Sequence, residues 1–100
     1  MEGMHYHMNK DDTELIEIAE RLKVLAHPVR LCIVKGLLES GGCNVSNIQS
    51  CLGAPQSTIS QHLQKLRSAG IIEGDRQGTQ IRYKVCDTKV IDIIQVLFKD

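Results

Sequence analysis

Apolar residues recur at intervals of three and four along the first part of the chain, the period of helices that bury one face. Residues 1–10 lack this period and are expected to form a loose arm. From Asp11 or Asp12 onward the pattern predicts a helix with the apolar stripe Leu15, Ile18, Ala19, Leu22 and Ala26. Pro28 favours the start of a second helix, which is expected to end near Glu39. Its predicted buried residues are Leu31, Val34, Leu37 and Leu38.

Two further helices are predicted on either side of Gly53. The first runs from Val45 to Leu52, and Gly53 ends it in a left-handed conformation. Pro55 is expected at the first position of the next helix, which ends near Ser68. Short helices joined by a tight glycine-containing turn form a helix-turn-helix. At 100° per residue the second helix separates an apolar from a polar side: Ile59, Leu63 and Leu66 against Ser57, Gln61, Gln64 and Ser68.

The period changes to two after Gly70, as is typical of strands. A hairpin is predicted from Ile71 to residue 85, with a polar turn over residues 75–79. A last helix, capped by Asp87 or Thr88, has apolar residues on more than one face. The sequence therefore predicts a mainly α fold with a small β-hairpin wing (α+β), a winged helix-turn-helix with four helices, two strands and a fifth helix. The surplus apolar surface predicts a homodimer.

Composition and charge narrow the class of protein. One hundred residues suit one domain, expected over residues 11–100, and no apolar run could cross a bilayer. With no secretion signal, a cytoplasmic protein without a membrane partner is expected. The net charge of zero is unevenly distributed. Residues 1–20 hold one lysine against six carboxylates, whereas residues 56–85 hold five basic against two acidic side chains. The basic region is expected to face phosphates.

Three segments resemble the ArsR/SmtB family of bacterial repressors in order and spacing: residues 25–31, 56–72 and 78–83. The resemblance spans residues 12–98. It implies a homodimer through the first and last helices that binds a palindromic operator in double-stranded DNA. It also implies release of the DNA when an inducer is sensed.

The resemblance also implies which residues meet DNA. Carried over by position, Ser57, Ser60 and Gln61 would read bases, and the supporting residues would be Gln56, Thr58, His62 and Lys65. At the wing tip Arg76, Gln77 and Thr79 would contact the DNA backbone or the minor groove. The angle of His62 places it at the edge of the apolar stripe, so it is expected to pack or to face phosphate. Arg82 and Lys84 share one face of the wing, where phosphate contact and a solvated edge are both open.

The metal sites of the family are not expected here. Its metal-sensing members carry two cysteines one residue apart at the start of the third helix, where this chain has Asn44 and Ser46. The last helix holds Asp87 and Asp92 but no histidine, so no metal and no cofactor are predicted. His5 and His7, with nearby methionines, remain an alternative source of metal ligands in the arm.

Thiol chemistry is another candidate for sensing. Cys32, Cys43 and Cys51 are the candidate redox or effector residues. Lys35, one turn after Cys32, and the helix that begins after Cys43 favour thiol reactivity. Cys51 is expected to be half-buried, and Cys86 lies between the wing and the last helix. Two alternatives are open: the cysteines serve as small apolar filler, or the repressor has no small-molecule inducer.

No enzyme is expected from this sequence. A nucleophile with its base, a carboxylate pair or a phosphate-binding glycine loop is not recognisable. Ser60 and His62 lie two residues apart on one helix, so their side chains diverge. The rival to a DNA-binding repressor is a winged-helix module that binds another protein. Salt-dependent affinity for duplex DNA distinguishes the two.

Overall fold

A computed structural model describes residues 12–99. Within this range the chain forms five helices and three strands, in the order α1 (Thr13–Leu25), α2 (Pro28–Ser40), β1 (Cys43–Asn44), α3 (Val45–Leu52), α4 (Gln56–Ser68), β2 (Ile72–Gln77), β3 (Gln80–Val85) and α5 (Thr88–Leu97). The strands form one antiparallel sheet in the order β1-β3-β2. The predicted order of helices and hairpin is confirmed, with β1 as an additional strand. No helix in the described range is long and apolar enough to span a bilayer.

The core is built around α4, which contacts α1, α2, α3 and β2. Ile59 and Leu66 of α4 have no exposed surface, and neither has Val34 of α2 or Ile71 before β2. Burial of an aliphatic side chain contributes about 1.5–3 kcal/mol. These contacts fix the orientation of α4, so its opposite side is held toward solvent.

Caps and glycines set the helix ends around the helix-turn-helix. The Oδ1 atom of Asn44 accepts the N–H of Asn47 at 2.9 Å and starts α3. Gly53 ends α3 at φ 68°, as predicted. Pro55 precedes α4 as its N-cap, with ψ 146°, rather than forming its first residue. The prediction was one residue early because a proline φ suits both positions and only ψ separates them.

The wing differs from its prediction in the length of β2, whereas β3 covers residues 80–85 as predicted. β2 continues to Gln77 and pairs with Gln80, which leaves only Gly78 and Thr79 in the turn. The prediction of a turn over residues 75–79 was wrong because the polar composition of this stretch reflects solvent exposure rather than loss of pairing. At Gly74 an added Cβ would lie 2.8 Å from Ile81 Cγ2, so the close packing of the hairpin requires glycine.

Several predicted core positions lie at the edge of the core. In α2 the buried residues are Ile33, Val34 and Leu37, whereas Leu31 and Leu38 are half-buried. In α3 only Ile48 is buried, and Val45 and Leu52 are half-buried. The difference arises because the neighbouring elements pack against one row of residues on each of the helices α2 and α3. Flanking apolar residues then remain partly open to solvent.

Helices α1 and α5 present apolar side chains to solvent. Of the residues in α1 only Leu25 is buried, and the predicted stripe of this helix is largely uncovered. The exposed large apolar residues on the two helices are Leu15, Ile16, Leu22, Ile93, Val96, Leu97 and, at the end of α5, Phe98. Arg21 of α1 bonds Asp87 at the start of α5 at 2.8 Å. This ion pair ties the two helices together.

Candidate nucleic-acid interface

The solvent side of α4 carries uncharged polar groups near its start. Ser57, Ser60 and Gln61 are exposed, as is Gln56, while Thr58 is half-buried. No side chain caps the helix start. The Pro55 carbonyl accepts the N–H groups of the residues three and four positions on. Such a helix start carries partial positive charge and outward N–H groups, which suit a phosphate.

A cleft joins the start of α4 to the wing. It encloses about 260 Å³ and is lined by Gln56, by Ser46 of α3 and by Thr79 at the wing tip, among others. Arg76 and Gln77 are exposed on the strand that leads to this tip. The structure therefore brings the predicted wing residue Thr79 to the recognition side of α4.

Two other basic residues of the hairpin are engaged elsewhere. The Nη2 atom of Arg82 donates to the carbonyl of Gly41 at 3.1 Å, which turns the guanidinium toward the loop after α2. Lys84 pairs with Glu73 across the hairpin at 3.4 Å, with both side chains more than half exposed. Arg82 thus ties the wing to the loop after α2, and it lines a small cleft together with Gln77.

His62 packs inward and does not share the solvent side of α4. It is half-buried, and its ring lies 4.7 Å from that of His27, centroid to centroid. Its Nδ1 atom is 3.3 Å from Nη1 of Arg30. Because arginine can only donate, Nδ1 of His62 must accept and therefore carries no proton. The expectation that His62 packs at the edge of the apolar stripe agrees with this placement.

The electrostatics of this cluster oppose a charged imidazole. Burial lowers the pKa of His62 below its usual value, and unfavourable electrostatic interactions with His27, Arg30 and Lys65 lower it further. In His27 the Nδ1 atom accepts the N–H of Val29 at 3.1 Å and caps α2. Both rings therefore use an unprotonated nitrogen to hold the start of α2 against α4.

Lys65 faces a second cleft, on the α1 side of α4. This cleft encloses about 550 Å³, and its lining includes Lys23, Arg30 and Gln64. Nε of Arg30 donates to the carbonyl of Val24 at 2.6 Å, which fixes the guanidinium there. Lys65 and Arg30 are the basic residues of this cleft beside α4, whereas Lys23 pairs at 3.7 Å with Glu20, which also lines the cleft. Sequence reasoning missed Arg30 and Lys23, although Arg30 follows His27 by one helical turn inside the segment 25–31.

The three candidate cysteines lie around one cleft between α2 and α3. Cys32 comes from α2, Cys43 from β1 and Cys51 from α3, and the cleft encloses about 340 Å³. Cys51 is exposed, so the expectation that it is half-buried was wrong. It is exposed although it follows Ile48, the single buried residue of the two-turn helix α3, by one turn.

The structure gives less support to the other features considered for sensing, namely the lysine near Cys32 and the metal ligands. Lys35 pairs with Glu39 at 3.3 Å and lies over the Phe98 ring, so its charge is shared with these partners rather than held for Cys32. Within residues 12–99 no group of three or more histidine, cysteine or acidic side chains could hold a metal ion. His5 and His7 lie outside the described residues.

The exposed polar side of α4, the tight turn before it and the adjoining wing define the class of winged helix-turn-helix DNA-binding proteins, with α4 as recognition helix. Comparison with known proteins narrows this class. A family described as "Helix-turn-helix domain" matches residues 25–75. The transcriptional repressor PagR of Bacillus anthracis is 46% identical over 79 residues, 79% of each chain. The chain belongs to the ArsR/SmtB family of transcriptional repressors.

Further relatives agree with this assignment. The repressor SmtB of Mycobacterium tuberculosis is 39% identical over 82 residues, which are 81% of this chain and 60% of that protein. The crystal structure of PagR matches with a TM-score of 0.79 and 44% identity, over 85% of this chain and 97% of that one. A homodimeric winged helix-turn-helix DNA-binding domain from Mycobacterium bovis matches with a TM-score of 0.80 and 29% identity, over 94% and 86% of the chains.

Proposed function

We propose that this chain represses transcription by binding a specific site in double-stranded DNA as a homodimer. The observation that carries the proposal is the division of α4. Its aliphatic residues Ile59, Leu63 and Leu66 are at most 2% exposed, while Ser57 and Gln61 face solvent. A helix anchored in this way and presenting short hydroxyl and amide groups fits the major groove.

In the proposed complex Ser57, Ser60 and Gln61 contact base edges. The Gln61 amide can both donate and accept, which matches the N6 and N7 atoms of adenine. Phosphates are met by Lys65, by Gln56 and by the N–H groups at the start of α4. The wing tip contributes a further basic contact through Arg76 to the backbone or the minor groove.

The second copy is proposed to pack on the exposed apolar side chains of α1 and α5. Leu22 of α1 and Val96 of α5 are 46% and 73% exposed, which is costly for residues of this size unless a partner covers them. A two-fold dimer aims two copies of α4 at successive major grooves, and the operator is then palindromic. The M. bovis relative is homodimeric, which supports the same arrangement here.

We also propose that the chain acts by binding alone and without a catalytic step. Ser60 and His62 are the hydroxyl and the imidazole that lie two residues apart on α4 and were considered above as a nucleophile and its base. The His62 ring packs against His27 instead of toward Ser60. As a repressor of bacterial type, the protein is proposed to act in the cytoplasm, where the chromosome lies.

The test starts from a pool of random duplexes, from which the protein selects its own operator. Binding of the selected duplex and of variants at each base pair is then measured for Gln61→Ala. We expect a loss of about 1–3 kcal/mol of discrimination at one base pair of each half-site. Gln64→Ala is the matched control, because Gln64 is exposed on the same helix but lines the α1-side cleft. It should leave base preference unchanged.

Two results would contradict the proposal. Selection without enrichment of any sequence would exclude base reading. A Gln61→Ala protein whose base preference is unchanged at every base pair would exclude Gln61 as a base-reading residue of α4.

A further inference from the structure

The cleft between α2 and α3 has the dimensions and lining of a small-molecule site. It encloses about 340 Å³, within the range of ligand pockets in proteins. Aliphatic side chains line it from both helices: Ile33, Leu37, Ile48 and Leu52. Four polar or charged side chains also line the cleft, Lys35, Glu39, Ser40 and Asn47, but most of the surface of the cleft is apolar. This composition favours a ligand with an apolar body.

Three thiols surround the same cleft from different elements. Cys32, Cys43 and Cys51 belong to α2, β1 and α3, and all three line the cleft. Within the described range no set of three histidine, cysteine or acidic side chains is arranged to hold a metal ion. The thiols thus surround a volume rather than a point, so an extended molecule in the cleft would have a nucleophile beside it.

We propose that this cleft binds small apolar electrophiles of the activated-alkene class, and that alkylation of a cysteine there weakens binding of DNA. The effect on DNA rests on the proposed function above. The binding and the alkylation do not.

The chemistry is an addition that needs no oxidant. The thiol gives its proton to solvent, and the Sγ atom attacks the β-carbon of the alkene. A C–S bond forms as the C=C π bond breaks, and the electron pair moves toward the activating carbonyl. The α-carbon then takes a proton from water, so no group leaves and the atoms balance. The apolar lining contributes by raising the local concentration of the electrophile.

Contacts from the cleft to the DNA-binding elements explain how an adduct would act. Cys43 pairs with Tyr83 of the wing strand β3. The next residue, Asn44, starts α3 and also donates from Nδ2 to Oε1 of Gln80 at 2.8 Å. An adduct that separates α2 from β1 and α3 therefore displaces the wing and the first helix of the helix-turn-helix together.

Two probes with one reactive group test the site. N-phenylacrylamide carries an apolar body, and acrylamide does not. Each rate is divided by the rate with free cysteine, and modified residues are located by mass spectrometry. We expect N-phenylacrylamide to modify cleft cysteines at least tenfold faster relative to acrylamide, with a rate that saturates as the probe concentration rises. Cys86 lies outside the cleft and should show a linear rate with both probes.

Gly36→Leu separates binding from thiol reactivity. Gly36 lines the cleft on α2, and a Cβ atom added there would meet no atom within 4 Å. Leucine is a good helix former, so the variant should fold while filling the cleft. The variant should abolish the saturation seen with N-phenylacrylamide, while its rates with acrylamide stay within twofold of those of the unsubstituted protein. Linear rates with N-phenylacrylamide in the unsubstituted protein, or saturation that survives Gly36→Leu, would overturn the assignment of the site.

The effect on DNA is measured with the purified adduct and the selected duplex. We expect at least a tenfold loss of affinity, and no change for unmodified Gly36→Leu. Equal affinity of adduct and unmodified protein would overturn the regulatory part. Failure of the unmodified protein to bind any duplex would reject the proposed function and the regulatory part with it. The saturation kinetics would be unaffected by that result.

Discussion

The imidazole of His62 is held in an environment that opposes its charge. Its Nδ1 atom faces the guanidinium of Arg30, and its ring rests on His27. A second proton on the ring would remove the acceptor and add a positive charge beside another. The folded state, in which α4 packs on α2, therefore favours the neutral form of the His62 ring.

The stability of the protein should consequently depend on pH through His62. Its pKa is lowered in the folded state, so the unfolded chain takes up this proton first as pH falls below about 6.5. Above that value both states are neutral at His62 and it contributes no pH dependence. The free energy of unfolding should fall as pH drops toward the folded pKa and then level off.

Urea unfolding between pH 8 and pH 5 measures this contribution as the difference in the free energy of unfolding between the natural chain and His62→Gln. The difference should shrink as pH falls. Arg30→Met should raise the pKa of His62 in an NMR titration, because it removes one of the neighbouring charges. Parallel unfolding profiles for His62→Gln and the natural chain would refute the proposed role of the ring.

The contact between His62 and Arg30 marks the limit of sequence reasoning at this scale. Angular placement on the helix indicated that His62 packs at the apolar edge. It could not indicate Arg30 as its partner, because the two residues are 32 positions apart and meet only after α2 and α4 dock. The clustering of Cys32, Cys43 and Cys51 was hidden for the same reason.

Single elements follow local rules more closely, and α5 depends on its cap. Oδ1 of Asp87 accepts the N–H groups of Lys89 and Val90 at 3.0 and 3.2 Å, and Oδ2 pairs with Arg21. Burial alone would raise the pKa of Asp87, but the bonds from Arg21 and the two N–H groups outweigh it and lower the pKa. The stabilisation is present above the usual carboxyl range and is lost as pH falls through the lowered pKa.

Asp87→Ala should destabilise the protein by about 1–2 kcal/mol, because it removes the cap and the ion pair. Asp87→Asn keeps a capping oxygen and loses only the charge, so its cost should be smaller. Thermal or urea unfolding at pH 7 gives both values. An alanine variant as stable as the natural chain would show that the cap contributes nothing.

Substitutions of two glycines test whether the left-handed conformation of Gly53 ends α3. Gly53 has φ 68° and Gly36 lies inside α2, and an added Cβ meets no atom within 4 Å at either position. Backbone conformation alone therefore separates the two sites. Gly53→Ala should cost about 1 kcal/mol, and Gly36→Ala should stabilise by about 0.5–1 kcal/mol. Changes of the same sign in urea unfolding would contradict this assignment of the turn.

The elements also show which local signals suffice. The bounds of α3 were predicted because Gly53 ends it and its apolar period is clear. β1 was missed because two residues carry no period, and it exists only through pairing with β3. β2 was cut short because every residue after Ile72 in this strand lies exposed, and exposed pairing leaves no apolar alternation to read.

At the scale of the whole molecule, the exposed apolar side chains of α1 and α5 form the surface proposed to pack against a second copy. Val96→Lys should weaken self-association at least tenfold in sedimentation equilibrium, because a charge would enter the proposed interface. Thr88→Lys adds the same charge at the opposite end of α5 and should leave the association unchanged. A Val96→Lys protein that remains as dimeric as the Thr88→Lys control would place the interface elsewhere.

The central claim is that α4 and the wing hold the phosphates and bases of a DNA duplex. The most direct measurement is the affinity of the natural chain for its selected duplex across a range of salt concentrations. The logarithm of the binding constant should fall linearly with the logarithm of salt, and Arg76→Ala should reduce the slope by about one. A binding constant independent of salt, or no binding at low salt, would contradict the account.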